Sequence, residues 1–486
     1  MAASTAALTG ASLVSPSHTQ RSLLGNGDVF RLLQLPENFI IGLDTVALTT
    51  SKTFHGFRDI PPGVHFIWAQ QPGGVSRCGY WFVTGERGRL RVKEWDKYNE
   101  VLGEPRRQVQ VTDHNDDLGT VAQLLRPYVT QDQRNRPNVP IDNALPAWAQ
   151  SPATVWDTLT TAISTQSLAR ITGKQGVEEF LVDLIDSARD VQPDEPNLPT
   201  STTTTTNQLN FLFTQDFRDL RILDLRSSTA TTSEATDTSL RVQALLSPHE
   251  PKEKKQAHDE PNPNPESSLL AELQLTFLTG THLGNPACLE QWWDLVLKIV
   301  LRAYDLALSH PQLVARLLRT LHAQLLYTEY YLAPPGEASG AGDGAGAGAY
   351  VGGDEEGEGR GLSGDRPIFV HRPLNKWKLV RLLSGYRGQL DGLPRRGEVD
   401  GTARLEEVDE VFGELVGWLW RRGIDLRREE GRQQAEGETG GGRGGSRLGD
   451  DLDAADRDSE EDEDEQPVVV ELDEEGREVG LVSFRD

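Results

Sequence analysis

Side chains able to do covalent or metal chemistry are few in this sequence and poorly spaced for it. Ten histidines are scattered along the 486 residues without the spacing of a metal site. Cys78 and Cys288 are the only cysteines and neither has a CxxC neighbour, so no disulfide framework or thiolate cluster is available. That suits a reducing compartment. No serine, histidine and acid, and no cysteine and histidine, fall in a nucleophile signature. His65 sits among apolar neighbours in a β-like run, where a lone histidine is solvent-facing or internally satisfied, and it receives no catalytic role. The close glycines of 340–348 follow no predicted strand and open no helix, so they read as linker and not as a phosphate loop. Catalytic, cofactor-binding and metal-binding residues are therefore assigned to none of the side chains. The expectation is a non-enzyme with no cofactor and no small-molecule substrate.

Binding chemistry is concentrated near the C-terminus. Val468, Val469, Val470, Glu471 and Leu472 form a β-prone run beyond a polar tether, with no neighbouring strand in sequence to pair with. Val468, Val470 and Leu472 would share one face, which fits addition of a strand to an exposed sheet edge. That edge belongs either to a partner or to this chain's own first domain. Ser459, followed by Glu460, Glu461 and Asp462, suits an acidophilic kinase, and phosphate there would add about −1.5 to −2 charges. Arg443, set among Gly442, Gly444 and Gly445, is a single arginine-glycine box beside an acidic tract and reads as linker. A net charge of −25, from 49 basic and 74 acidic residues, disfavours direct RNA binding and an anionic membrane surface. A protein partner is the better fit. No apolar run is long enough to span a membrane, and residues 1–21 lack the basic start of a signal peptide.

The elements that would position these residues suggest two folded domains. Short β-branched and aromatic runs at 39–44, 45–49, 64–68, 77–83 and 89–95, with the turn Ile60-Pro61-Pro62-Gly63, predict a small sheet or sandwich. Helical spacing follows at 117–128, 154–163 and 177–189. Residues 269–332 carry the strongest pattern: three amphipathic helices broken at Asn285-Pro286 and Ser309-His310-Pro311, with Trp292 and Trp293 anchoring the middle one. Further helices are predicted at 375–386 and 405–420. The expected organisation is a disordered start (1–27), a β-rich domain with packed helices (28–190), a connecting segment (191–246) and a linker (247–268). A helical domain (269–425) with a disordered insertion (334–364), a disordered Gly/Arg then acidic tract (426–465) and a tail strand (466–486) complete the chain, an α+β class overall.

Several stretches together resemble the A1 cistron-splicing factor family, the assembly factors of the spliceosomal U5 particle. The similarity rests on Gly42-Leu43-Asp44, Phe54-His55-Gly56, Ile60-Pro61-Pro62-Gly63-Val64-His65-Phe66 and Arg77-Cys78-Gly79-Tyr80-Trp81-Phe82. It continues through Trp156 with Leu159-Thr160, Glu272-Leu273-Gln274 with Phe277, Leu283-Gly284-Asn285 with Glu290 and Trp292, and the tail from Pro467 to Leu472. The resemblance implies a β-rich N-terminal domain, an all-helical C-terminal domain similar to VHS modules, and no catalysis. It further implies binding to the large U5 scaffold protein, at its RNase-H-like and MPN-type domains, in competition with the U5 RNA helicase. A cytoplasmic precursor imported into the nucleus, phosphorylation favouring the exchange, and a tail strand bridging the two scaffold domains are implied in the same way. A general adaptor binding linear motifs through its helical domain is the alternative. The glycine-rich insertion after Leu332, the 431–465 tract and the threonine-rich 200–206 segment exceed the family pattern.

Overall fold

The structure, a computed structural model, describes residues 26–74, 76–105, 123–128, 146–149, 151–188, 208–211, 237–247, 264–330, 332, 362, 366–370, 372–393, 402–427, 470–472 and 478–481. Strands come first: β1 (Asp28–Leu33), β2 (Ile40–Leu43), β3 (Val46–Thr49), β4 (Gly56–Ile60), β5 (Gly63–Gln70), β6 (Arg77–Thr84), β7 (Leu90–Asp96), β8 (Val101–Gly103) and β9 (Arg126–Pro127). A 3₁₀ turn at Ala147–Ala149 leads to α1 (Pro152–Thr160), α2 (Thr165–Thr172), β10 (Glu179–Asp183), β11 (Ser187–Ala188) and β12 (Gln208–Leu209). Helices follow: α3 (Ser239–Leu246), α4 (Pro265–Leu283), α5 (Pro286–Asp294) running into a π-helical turn at Leu295–Val300, α6 (Leu306–Ser309), α7 (Pro311–Tyr330), α8 (Pro367–Val370), α9 (Leu374–Gly392) and α10 (Thr402–Arg421). Last are β13 (Val470–Leu472) and β14 (Glu478–Leu481). The class is α+β, as the sequence indicates.

Two five-stranded sheets form a sandwich. Sheet one has the order β8-β7-β1-β4-β9, with β1 parallel to β7, and sheet two is the antiparallel β10-β6-β5-β2-β3. Alternation along β5 and β6 explains why both are apolar throughout. Ile67, Ala69, Tyr80 and Phe82 fill the space between the sheets, while Phe66, Trp68 and Trp81 belong to the helical core on the far side. Sheet two is thus the middle layer, and the β-rich and helical stretches share one core. The described residues up to 211 and from 238 to 427 form one compact unit, and β13 with β14 belongs to a second.

Helix α4 is the shared element. It is buried on every side from Ser268 to Leu283, where one-sided amphipathicity was expected, because sheet two and α1 pack against it as well as α5 and α7. Its polar residues are used to join the layers. Gln274 accepts from the Ala162 amide (2.9 Å) and donates to Thr158 O and Thr161 Oγ1. Thr279 Oγ1 accepts from Trp81 Nε1 at 3.0 Å, and the His282 carbonyl accepts from Arg77 at 2.8 Å. The Asn285 side chain caps α5 by accepting from the Cys288 amide, and its amide group reaches the carbonyls of Asp183, Leu184 and Asp186. The α5 start at Asn285-Pro286 and the burial of Trp292 and Trp293 match the sequence reading; their indoles donate to Gln324 Oε1 and Ile368 O.

Three expectations need correction. The helix expected at 177–189 is absent over its described residues, 177–188: Phe180 and Val182 alternate inward as β10 pairs with β6, so partner strands decide against a helical spacing that would have buried Ile185, which is 73 % exposed. The 117–128 helix fails at its described end, where Arg126–Pro127 pairs with β4, and the rest of it lies outside the described residues. The helical stretch also begins at Pro265, inside the expected linker, and Leu426, placed in the expected disordered tract, is buried and accepts from Ser384 Oγ. The 334–364 insertion lies outside the described residues except Leu362, which is buried.

Two glycines in the family-like motifs have packing reasons. A Cβ on Gly42 would sit 2.0 Å from Trp68 Nε1, and one on Gly56, at φ +126, would sit 2.0 Å from the Phe30 carbonyl. Alanine at either position is expected to destabilise by about 1–3 kcal/mol. Urea unfolding should show a lowered midpoint with an unchanged slope.

Candidate interaction surfaces

Asp44 closes the β2–β3 hairpin in a left-handed conformation, φ 52, which acidic and amide side chains tolerate. Its amide donates to the Phe66 carbonyl and its Oδ1 accepts the Phe66 amide, so the turn is stitched to β5. Oδ2 then accepts from His65 Nδ1 at 2.7 Å and from the Tyr128 hydroxyl at 2.8 Å. His65 Nε2 faces the Pro61 carbonyl at 2.9 Å. Both ring nitrogens point at oxygens that can only accept, so both carry protons and the imidazole is a cation. Burial works against that charge, but the Asp44 carboxylate and the Pro61 carbonyl outweigh it and raise the His65 pKa above its ordinary 6.5. Burial, with the Asp44 charge, also pushes the Tyr128 phenol upward.

This Asp44, His65 and Tyr128 centre resembles a catalytic relay in composition, yet its donors and acceptors are spent on one another. It clamps the β2–β3 turn, the Pro61-Pro62-Gly63 turn and the segment after β9. Sequence spacing leaves His65 as either solvent-facing or satisfied, and carries no sign of Tyr128, which lies 84 positions from Asp44. The thiols are equally withdrawn: burial pushes Cys78 up to about 12 and raises Cys288 as well, so neither is a ready nucleophile. Among the described residues no group of three or more His, Cys, Asp or Glu could hold a metal ion, and no helix is long and apolar enough to cross a membrane.

What the fold offers instead is strand edges. Strand β3 ends sheet two and pairs only with β2 among the described strands. Beside it, Leu43, Val46, Leu48, Phe57, Arg126, Pro127 and Tyr128 line a shallow groove. In the second unit, β13 pairs antiparallel with β14, Val470 opposite Leu481 and Leu472 opposite Glu478. The tail run therefore has a neighbour in sequence, contrary to the expectation: the short strand β14, in which Val479 and Leu481 alternate. Of the tail residues singled out, Val470, Glu471 and Leu472 lie in β13, while Val468, Val469 and Ser459 lie outside the described residues. Among the described strands β13 and β14 pair only with each other, and a two-stranded sheet can take a further strand at an outer edge.

A β sandwich whose second sheet is backed by a helical core, with hairpin edges left open, defines the architecture. Two family models match this chain: the AAR2 N-terminal domain over residues 26–173 and the AAR2 C-terminal repeat region over residues 221–340. Together they cover more than half of its length, and the chain belongs to the AAR2 family. It is also similar to the Protein AAR2 homolog of Caenorhabditis elegans, 27% identical over 111 residues, a match that covers 23% of this chain and 30% of the nematode protein.

His65 and His282 give stability of opposite pH dependence. Burial, with Arg77 nearby, holds His282 down to about 3, and its Nε2 pairs with the Tyr327 hydroxyl at 3.0 Å as a neutral ring. His282 therefore contributes stability that is present above 6.5 and is lost as pH falls towards 3. His65, raised in the fold, contributes stability that is full below 6.5 and is lost as pH rises through its folded value. Thermal midpoints across this range should decline on both sides. His65→Gln should flatten the alkaline limb and leave the acid limb in place.

Proposed function

We infer that this chain is a non-enzymatic pre-mRNA splicing factor, an assembly chaperone of the U5 small nuclear ribonucleoprotein. Membership of the AAR2 family carries this reading, with both matched regions in family order. The chain binds the large U5 scaffold protein at its RNase-H-like and MPN-type domains and occupies the surface that the U5 RNA helicase needs. It works by steric occlusion, first in the cytoplasm and then in the nucleus. Neither a cofactor nor a membrane takes part, and direct RNA binding is not required.

The tail supplies one attachment. Val468, Val469, Val470, Glu471 and Leu472 extend or replace the β13–β14 pairing by adding to a strand edge of the scaffold. The hairpin supports this, because two strands alone are marginal in water and gain from a third. Phosphate on Ser459, next in sequence to Glu460 and Glu461, would add charge to the acidic tract that precedes that strand in sequence and favour release.

The test is binding of the full chain, with and without residues 466–486, to the RNase-H-like plus MPN-type fragment of the scaffold. Loss of at least about tenfold in affinity on removing the tail is the expected result for a hot-spot strand. Equal affinity would place the attachment on the folded unit. No binding by either folded chain would overturn the reading in favour of a general adaptor.

A further inference from the structure

Helix α9 has two faces of different character. Asn375, Leu379, Leu382, Leu383, Tyr386 and Leu390 are buried against the helical core. On the opposite side Leu374, Trp377 and Arg381 follow one another at steps of three and four. Leu374 is 60 % exposed and Trp377 70 %, and Val370 at the end of α8 is 49 % exposed just before them. A solvent-facing tryptophan beside an exposed leucine is unusual for a surface helix and typical of a binding hot spot.

Charge narrows the partner. Residues 366–390 contain no Asp or Glu in a chain of net charge −25, and Arg372, Lys376, Lys378 and Arg381 surround the apolar side chains. Arg372 pairs with Glu290, whereas Lys376 and Arg381 have no acidic partner among the described residues. This is a local positive patch on a negative molecule. A long polyanion such as RNA would meet the surrounding negative charge within roughly a Debye length of about 8 Å. A short segment with a few acids on either side of an apolar stripe meets only the patch.

We propose that the exposed face of α9, with Val370 of α8, is a docking surface for an acidic amphipathic helix of a partner protein, whose apolar stripe packs on Leu374 and Trp377 while its acids pair with Lys376 and Arg381. The proposal does not rest on the tail strand and stands whether or not the U5 reading holds. Trp377 and Arg381 lie on the solvent side, so substitutions there leave the packed face of α9 untouched.

The experiment uses the full chain and a fluorescein-labelled synthetic helical peptide of about five turns, with Leu at heptad-like spacing and Glu on the flanks. Fluorescence polarisation should show salt-sensitive binding to this peptide and none to its Lys-for-Glu counterpart. Trp377→Ala should weaken binding by about tenfold or more, and Lys376→Glu with Arg381→Glu should abolish it, all with unchanged circular dichroism. Four results would overturn the proposal: no binding by the wild-type chain, equal binding by Trp377→Ala, preference for a single-stranded uridine oligonucleotide or anionic vesicles over the peptide, or peptide binding that appears only after residues 449–465 are removed. The last would make the chain's own acidic tract the occupant.

Discussion

Gln274, Thr279 and His282 of α4, and Asn285 at the start of α5, bind sheet two and α1 from positions with no solvent-facing side. Each such hydrogen bond is worth only about 1 kcal/mol net, but a buried donor or acceptor left alone costs about 1–3 kcal/mol. The penalty, more than the gain, fixes the register between helix and sheet. Trp81 cannot slide along α4 without orphaning its indole N–H, and Asn285 cannot move without giving up its bonds to the carbonyls of Asp183, Leu184 and Asp186. Helices α5 and α7 then pack on the remaining sides of α4, so the helical core inherits its position from the sheet.

A similar economy runs through the sandwich. The inward side of β7 carries Arg91 and Lys93, both buried, which are neutralised by Asp28 and Glu179 and lie over the rings of Phe82 and Tyr80. Charged and aromatic groups do the joining at the sheet edge, and the Asp44, His65 and Tyr128 clamp does it at the turn. Polar chemistry is thus spent on holding layers together. What remains for partners lies on edges and faces: β3 of sheet two, the hairpin of the tail, and the outer side of α9.

The sequence carried the local elements well wherever one rule decided them. Strands β2, β3, β5, β6 and β7 announce themselves by composition, and α5 by Asn285 and Pro286. Helix α2 was missed although Ser164 and Ser167 form a capping box and Gly173 closes it at φ 68. Strand β10 was misread because Phe180, Leu181, Leu184 and Ile185 fit a helical face as well as a strand, and only the presence of β6 decides. The merging of two expected domains could not be read from periodicity, since the polar residues of α4 look solvent-facing until sheet two covers them. Of the interaction surfaces, the tail run was visible but its partner strand β14 was not, being short and preceded by charged residues. The Asp44 centre is not legible in the sequence, because its three members lie 21 and 84 positions apart and only the fold brings them together.

Native-state hydrogen exchange across a urea series tests the shared core most directly. If α4 joins sheet and helices as described, amides of β5, β6, α4 and α7 will open together, with one free energy and one denaturant slope. Protection of β5 and β6 that outlasts that of α4 and α7, or the reverse, would show two separate domains and contradict the account.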